Sequence, residues 1–231
     1  MTLFGLVRHG QTEYNRQHLF QGSSDIPLNE TGIAQAHAAL DGQPTVDWDV
    51  VVTSPLRRAE QTGRIIAQDH SIPFGGTDPR LVEIDWGAAE GQDVTEMQDR
   101  YPGRSFPGRE DHQAVADRGV DALESLEERY PDQKVLVVAH GTLIRFILSG
   151  VIQRPLPSLP NGALSLVELT DLTWRVSLIA GQPVEHAVTL PSRDHHPRFR
   201  LDPSHLTPST EHGLTGELLR PTDPASEETS R

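Results

Sequence analysis

Two short apolar runs, each ending in His-Gly, predict an α/β fold: a three-layer α/β/α sandwich around a mostly parallel central sheet. The first is Leu3-Phe4-Gly5-Leu6-Val7, which ends in Arg8-His9-Gly10; the second is Val135-Leu136-Val137-Val138-Ala139, which ends in His140-Gly141. An unbroken stretch of Val and Leu this short suits a strand covered on both faces, not a helix. Segments of helical pattern between such runs supply the crossovers that parallel strands require. Parallel strands of an open sheet present their carboxyl ends along one edge, where ligand crevices form. Two histidines at such ends can face each other although 131 positions separate them. A single strand-end histidine is more often structural. Two in the same setting, one directly after an arginine, point to a site.

The elements follow in order. A polar loop over residues 14–29 succeeds the first strand. Residues 30–40, rich in alanine, read as a helix with Asn29 or Thr31 as its cap. Residues 46–53 predict a second strand that stops at Ser54-Pro55. Serine as N-cap with proline at the first helical position predicts a helix over 56–69. Residues 71–91 hold several prolines and glycines and read as a functional loop with a short strand at 80–82. A short helix at 93–100 is stopped by Tyr101-Pro102-Gly103. Val115, Val120, Leu123 and Leu126 recur at helical spacing and predict an amphipathic helix over 114–130, packed on the sheet. After the His140 strand come a helix over 142–149, a connector stiffened by Pro155, Pro157 and Pro160, and a hairpin with strands at 163–169 and 173–179. From residue 183 the character changes, with six prolines between 186 and 231 and no sustained periodicity. The expected organisation is one domain over 1–182 and a Pro-rich tail over 183–231. That tail is flexible, or wraps the domain through Phe199, Leu201 and Leu206.

Composition narrows the function. A formal charge of −13, from 33 acidic and 20 basic residues, argues against nucleic acid or an anionic membrane as partner. A small anionic substrate stays open, because a few clustered arginines set the local potential. Without cysteine there is no disulfide framework, thiol nucleophile or cysteine-based zinc site. The first residues show no signal-peptide pattern and no stretch approaches the ~18 apolar residues of a membrane span, so the expected location is cytoplasmic. His18, His37, His70 and His112 read as surface residues. His186, His195, His196, His205 and His212 lack a partner at ligand spacing, and no metal is expected.

Two further stretches carry chemistry. In Ser54-Pro55-Leu56-Arg57-Arg58-Ala59-Glu60-Gln61-Thr62 a strand meets a helix N-terminus, where free amides favour an anion. Guanidinium forks grip phosphate oxygens, and one of Arg57 and Arg58 is expected in the site with the other outside. Leu81-Val82-Glu83-Ile84-Asp85-Trp86-Gly87-Ala88-Ala89-Glu90-Gly91 mixes carboxylates with glycines. A carboxylate beside a phosphate crevice suits the proton donor that a leaving alcohol requires; the pattern alone does not choose among Glu83, Asp85 and Glu90.

Together with Arg8-His9-Gly10-Gln11-Thr12 and Val138-Ala139-His140-Gly141, these stretches resemble the histidine phosphatase superfamily. The branch is the one holding cofactor-dependent phosphoglycerate mutases and their phosphatase relatives. The four motifs stand in the family's order over residues 1 to about 180. The resemblance implies that His9 is the nucleophile, transiently phosphorylated. It implies a phosphate pocket of Arg8, Arg58 and His140 with Gly141, and Glu83 as general acid and then as base toward water. Asn15 and Gln21 are implied as accessory polar contacts. Arg58 directly precedes Ala59, as the family's arginine does, which leaves Arg57 a bystander. The reaction implied is hydrolysis of phosphomonoesters by a histidine acid-type phosphatase. Its expected partner is a small phosphorylated metabolite, with no cofactor, and the chain is expected to be a monomer or homodimer.

The physics agrees with that assignment. Phosphomonoester hydrolysis is among the slowest uncatalysed reactions, needing accelerations of up to ~10²¹. A covalent histidine adduct splits it into two easier displacements. His9 must then be neutral at the attacking nitrogen, with its other nitrogen held by an acceptor. Two arginines and a second histidine stabilise a loose transition state, and their charge makes a metal unnecessary. His9 and His140 are therefore expected on adjacent or near-adjacent strands, close enough to share one phosphate.

Mutases resemble these phosphatases but carry a longer segment between the acid and the second histidine, with paired basic residues for a substrate carboxylate. Here 56 residues separate Glu83 from His140, and Arg100, Arg104, Arg109, Arg118 and Arg129 among them include no adjacent basic pair. That favours a phosphatase over a phosphoglycerate mutase. Loss of a motif residue would favour an inactive phosphate-binding scaffold, and none is lost. Phe106-Pro107-Gly108-Arg109-Glu110-Asp111 resembles a substrate-facing Pro-Gly-Gly-Glu-Ser pattern of the phosphatases and departs from it at Arg109 and Asp111.

Overall fold

In the computed structural model, which describes residues 1–170 and 173–184, seven strands form one sheet. They are β1 (Thr2–Arg8), β2 (Val50–Thr53), β3 (Phe74–Thr77), β4 (Lys134–Ala139), β5 (Leu164–Thr170), β6 (Thr173–Ile179) and β7 (Gln182–Pro183). Their spatial order is β3-β2-β4-β1-β5-β6-β7. The pairs β3–β2, β2–β4 and β4–β1 are parallel, whereas β1–β5, β5–β6 and β6–β7 are antiparallel. The sheet is thus mixed, and its parallel half carries both histidines.

Among the described residues six α-helices accompany this sheet: α1 (Glu13–Arg16), α2 (Glu30–His37), α3 (Arg57–Asp69), α4 (Val94–Arg100), α5 (His112–Arg129) and α6 (Gly141–Ile152). Side chains alternate across a strand, and here the alternation sorts the core in two. Phe4, Leu6, Val50, Val52, Val135 and Val137 join Val115, Leu123, Leu143 and Ile147 of α5 and α6. Val7, Val51, Leu136 and Val138 face the other way, onto Ala59, Ile66 and Ala67 of α3. The result is helix, sheet, helix. Gly119 lets α5 approach α6, since a Cβ there would come within 2.8 Å of Leu143 and Ile147.

Several boundaries differ from expectation for local reasons. Residues 46–49 do not extend β2; Trp48 packs into the space that Gly5 leaves open, and the Asp49 carboxylate accepts from the Lys134 amide at 2.7 Å. Ser54 does not cap α3. The boundary residue is Leu56, without a side-chain cap, and Asp25 from a distant loop accepts from the Arg57 amide at 2.7 Å. The strand expected at 80–82 is instead a 3-10 turn, Pro79–Leu81, capped by Asp78. Pro79 offers no ladder donor, and the edge strand falls earlier, at β3. A capping box between Thr12 and Asn15 makes α1, a helical turn that the loop reading had missed. Asn29, not Thr31, caps α2 and accepts from the Gly32 amide at 2.8 Å; that helix ends at His37. Asp111 caps α5, which starts at His112. The helix expected over 142–149 is longer: α6 runs from Gly141 to Ile152, with Gln153 as its C-cap at φ of 53°. The hairpin turn at 171–172 and the tail beyond 184, with Phe199, Leu201, Leu206 and its five histidines, lie outside the described residues. Among the described residues no helix is long and apolar enough to cross a membrane.

Candidate active site

Because Arg8 pairs with Ala139 in the β1–β4 register, His9 and His140 leave the sheet side by side. The His9 amide donates to the Ala139 carbonyl at 3.0 Å. Their rings lie 5.2 Å apart between centroids, with planes inclined by 59°. Both are buried. His9 Nδ1 is 2.7 Å from the Gly10 carbonyl oxygen. A carbonyl only accepts, so Nδ1 carries the proton and Nε2 presents its lone pair. Arg58 Nε donates to that lone pair at 3.2 Å. Burial, then the Arg58 and Arg8 charges, hold His9 well below the ordinary histidine value. His140 is lowered in the same way, by burial first and then by Arg58. Its Nε2 lies 2.8 Å from Ser54 Oγ. Its buried Nδ1 has no hydrogen-bond partner among the described residues.

Arg58 sits in the first turn of α3, fully buried, while its neighbour Arg57 is exposed. Its Nη1 donates to the Ser24 carbonyl at 2.8 Å and its Nη2 to the Gly22 carbonyl at 2.7 Å. Burial lowers it to about 10, against the raising influence of Glu83 and Asp25. Glu90 holds the loop that aims it. The Glu90 carboxylate accepts from the amides of Ser23 and Ser24 at 2.7 and 2.9 Å and from both their hydroxyls. It also accepts from the Trp86 amide at 3.3 Å. Gly22, with φ of 55°, has no room for a side chain beside that carboxylate. Thr62 Oγ1 accepts from the Gly10 amide at 3.1 Å and donates to the Arg58 carbonyl at 2.7 Å, tying α3 to the His9 loop. Arg8 donates Nη1 to the Leu159 carbonyl. Its Nε lies over Gly141, where a Cβ would stand only 3.1 Å away.

Glu83 lies just beyond the Pro79–Leu81 turn and reaches the N-terminus of α6. Its Oε2 accepts from the Thr142 amide at 3.0 Å, and its Oε1 from Leu143 and Ile84 at 3.1 and 3.0 Å. Arg118 on α5 fixes the backbone beneath it, donating to the carbonyls of Arg80, Val82 and Glu83. The other carboxylates of the segment, and Glu110 beyond it, are engaged elsewhere. Asp85 accepts from the Gly87 amide at 2.7 Å, Glu110 pairs with Arg118 at 2.9 Å, and Glu90 braces the Ser23 loop. Asn15 Oδ1 accepts from the Thr12 amide at 3.2 Å and from Asn161 Nδ2 at 3.3 Å. Gln21 Oε1 accepts from Thr12 Oγ1 at 2.5 Å.

A cleft of about 180 Å³ brings Arg8, His9, Asn15, Gln21, Glu83 and Gly141 to one surface, with Arg58 and His140 against the His9 ring. Residues far apart in the chain thereby form one cationic crevice beside one carboxylate. Reading the residues alone missed four contributors. Ser54, taken for a helix cap, partners His140. Arg118 positions the Glu83 backbone, and no spacing announces it. Arg104 and Arg145 also line the cleft; a lone arginine inside the apolar run of α6 was the available signal for Arg145. His112, expected at the surface, is buried. Its ring centroid lies 5.1 Å from that of Phe146 and 6.3 Å from that of Trp86. Burial, with Arg109 next, lowers it to about 4.

A family model described as the histidine phosphatase superfamily (branch 1) matches residues 4–181. The chain is 38% identical over 180 residues to the uncharacterized phosphatase PhoE of Bacillus subtilis (strain 168), covering 76% of this chain and 93% of that protein. It is 31% identical over 198 residues to the probable phosphoglycerate mutase GpmB of Yersinia pestis (strain Pestoides F), covering 79% and 90%. A solved mycobacterial glucosyl-3-phosphoglycerate phosphatase, complexed with VO3, is similar with a TM-score of 0.71 at 26% identity, covering 78% and 99%.

Proposed function

The chain belongs to the histidine phosphatase superfamily, and on that premise we propose that it is a metal-independent phosphomonoesterase of the histidine acid type. It hydrolyses small phosphorylated metabolites through a phosphohistidine on His9. The observation that carries this reading is the His9 ring itself. Its Nδ1 proton is committed to Gly10 and its Nε2 lone pair faces Arg58 at 3.2 Å. An incoming phosphate takes over that Arg58 N–H, which frees Nε2 to attack phosphorus.

As the N–P bond forms, the ester P–O bond breaks and Glu83, protonated, gives its proton to the departing alkoxide. Arg8, Arg58 and His140 stabilise the three equatorial oxygens. Ser54 holds one nitrogen of His140, which keeps the other for phosphate. Water then attacks the phosphohistidine, Glu83 takes the water proton, the N–P bond breaks and inorganic phosphate leaves. Asn15 and Gln21, fastened through Thr12, fill the polar wall.

Brief mixing with radiolabelled nitrophenyl phosphate tests the reading. The expected product is a protein label that is labile to acid and stable to base, formed by the parent and not by His9→Ala. Phosphate release should exceed any isomerisation of phosphoglycerate. A label that persists in His9→Ala places the nucleophile elsewhere, and isomerisation faster than release makes the chain a mutase.

A further inference from the structure

The proposed reaction leaves two cationic side chains of the cleft without a task. Arg145 on α6 is only 7% exposed. Its Nη1 reaches the Leu156 carbonyl at 3.4 Å, and its guanidinium carbon lies 4.9 Å from the Phe146 ring centroid. Arg104, just past α4, lies 5.7 Å from the ring centroids of both Phe20 and Trp86. The Gln98 amide, with its oxygen turned toward Arg104, accepts from Nε at 3.2 Å and Nη2 at 2.6 Å. Among the described residues neither arginine makes an ion pair.

The charge count is informative. The charged residues that line the cleft are Arg8, Glu83, Arg104 and Arg145. One phosphate dianion, gripped by Arg8 and Arg58, accounts for the first phosphate subsite and leaves Arg104 and Arg145 with Glu83 as the single carboxylate of the lining. Burial holds both below the ordinary arginine value, and Arg104 adds to the lowering of Arg145, to about 10. Holding two unpaired, partly desolvated cations near one another is costly. The one carboxylate that acts on Arg145 against this lowering is Glu83, which the proposed reaction uses as an acid; a chain of net charge −13 supplies no second carboxylate to the cleft lining.

We propose that Arg104 and Arg145 form a second anion-binding subsite, which selects phosphomonoesters whose leaving group carries an anionic group of its own. The proposal rests on the phosphatase reading for the position of the first phosphate. A guanidinium fork receives a carboxylate or phosphate through paired N–H donors, and the aromatic faces of Phe20, Trp86 and Phe146 keep the forks in fixed planes. An anion bridging the two relieves their repulsion and binds where water competes poorly.

The test is calorimetric titration of the full chain carrying His9→Ala, which prevents turnover. Three probes built on the same three-carbon chain serve: propyl phosphate, phosphorylated hydroxypropionate and the bisphosphate of propanediol. At least one anionic-tailed probe should bind about 10- to 100-fold more tightly than propyl phosphate, the range of charge-assisted hydrogen bonds. Which of the two gains more tells whether carboxylate or phosphate is preferred. Arg145→Met should bring the three probes within about threefold of one another. Arg104→Met, at a half-exposed position, should do the same and serves should the Arg145 variant fail to fold. Equal binding of all three probes, or a preference that survives Arg104→Met, overturns the subsite. Failure of the parent enzyme to release phosphate from nitrophenyl phosphate would instead sink the phosphatase reading, and the binding comparison would still stand.

Discussion

β1 and β4 lie side by side, and each delivers a histidine followed by a glycine at the same edge, yet the chain beyond them diverges. After His9 it makes a loop and a four-residue helix, α1. After His140 it enters α6 at once, with His140 itself as the N-cap residue. The rings differ accordingly. His9 is tied through Nδ1 to its own glycine carbonyl and meets a guanidinium at Nε2. His140 meets a serine hydroxyl at Nε2 and keeps an unpartnered Nδ1. Similar burial, a shared edge and the same neighbour in sequence therefore yield two different hydrogen-bond settings. What separates them is which nitrogen the surroundings occupy: His9 is left with a lone pair directed at Arg58, His140 with an unpartnered Nδ1, the position that the proposed reaction gives to a phosphate oxygen.

The largest expected effect breaks this comparison directly. His9→Ala should lower turnover by roughly 10³ or more and abolish the phosphoenzyme, whereas His140→Ala should slow the formation of a label that still appears. Rapid-quench labelling of both variants checks this; loss of label in His140→Ala and its retention in His9→Ala would reverse the roles.

Arg58→Ala comes next. Removing one preorganised donor costs on the order of 10²–10³ in rate, while Arg57→Ala, at an exposed position, should change kcat/KM little. Equal losses would mean that both arginines touch substrate.

Glu83→Gln sharpens the chemical half. It should slow phosphorylation of His9 by alkyl phosphates by about 10²-fold, the scale of general acid catalysis, and far less by nitrophenyl phosphate, whose leaving group needs no proton. Dephosphorylation should slow for both, so phosphoenzyme should accumulate with the aryl ester. Equal slowing of phosphorylation by both esters would make Glu83 a positioning group.

Stability against pH should treat the two histidines alike. His9 and His140 are both held well below the ordinary value of 6.5, and His112 lies at about 4. The unfolded chain therefore takes up protons that the native chain refuses. The stabilisation is complete above the unfolded value and is lost as pH falls below it, at about 1.4 kcal/mol per pH unit for each histidine. Urea midpoints on either side of that value should show the loss, and His9→Asn and His140→Asn should each flatten the slope by one proton. The smallest effect belongs to Ser54→Ala, about 1 kcal/mol or some fivefold in kcat/KM, the worth of one neutral hydrogen bond. An effect on stability with none on rate would make Ser54 a packing residue.

Much of this arrangement is legible in the sequence. The Val and Leu runs at 3–7 and 135–139 announced buried parallel strands, and parallel strands share an edge, so the meeting of His9 with His140 followed. The misreadings occurred where a local rule met a distant partner. Ser54-Pro55 has the form of a helix start, but Asp25 caps the Arg57 amide from another loop, and the Ser54 hydroxyl, which accepts from the Leu56 amide at 3.3 Å, also meets His140. Residues 80–82 have strand-like content, but Pro79 and the Asp78 cap impose a turn. Arg118 belonged to the polar face of a helix by periodicity, and only the folded chain shows that face receiving three carbonyls.

The brace at Glu90 separates aim from access. Leu19 and Val94 line the cleft, so an engineer reshaping it for another alcohol has freedom there. No such freedom exists at Gly22 or Glu90. A methyl group at the first would collide with the carboxylate, and loss of charge at the second would release the Ser23 and Ser24 amides. Either change slackens the two carbonyls on which the Arg58 guanidinium rests. Under the proposed reaction, substrate range and phosphate grip can accordingly be tuned apart, by mutating disjoint sets of residues.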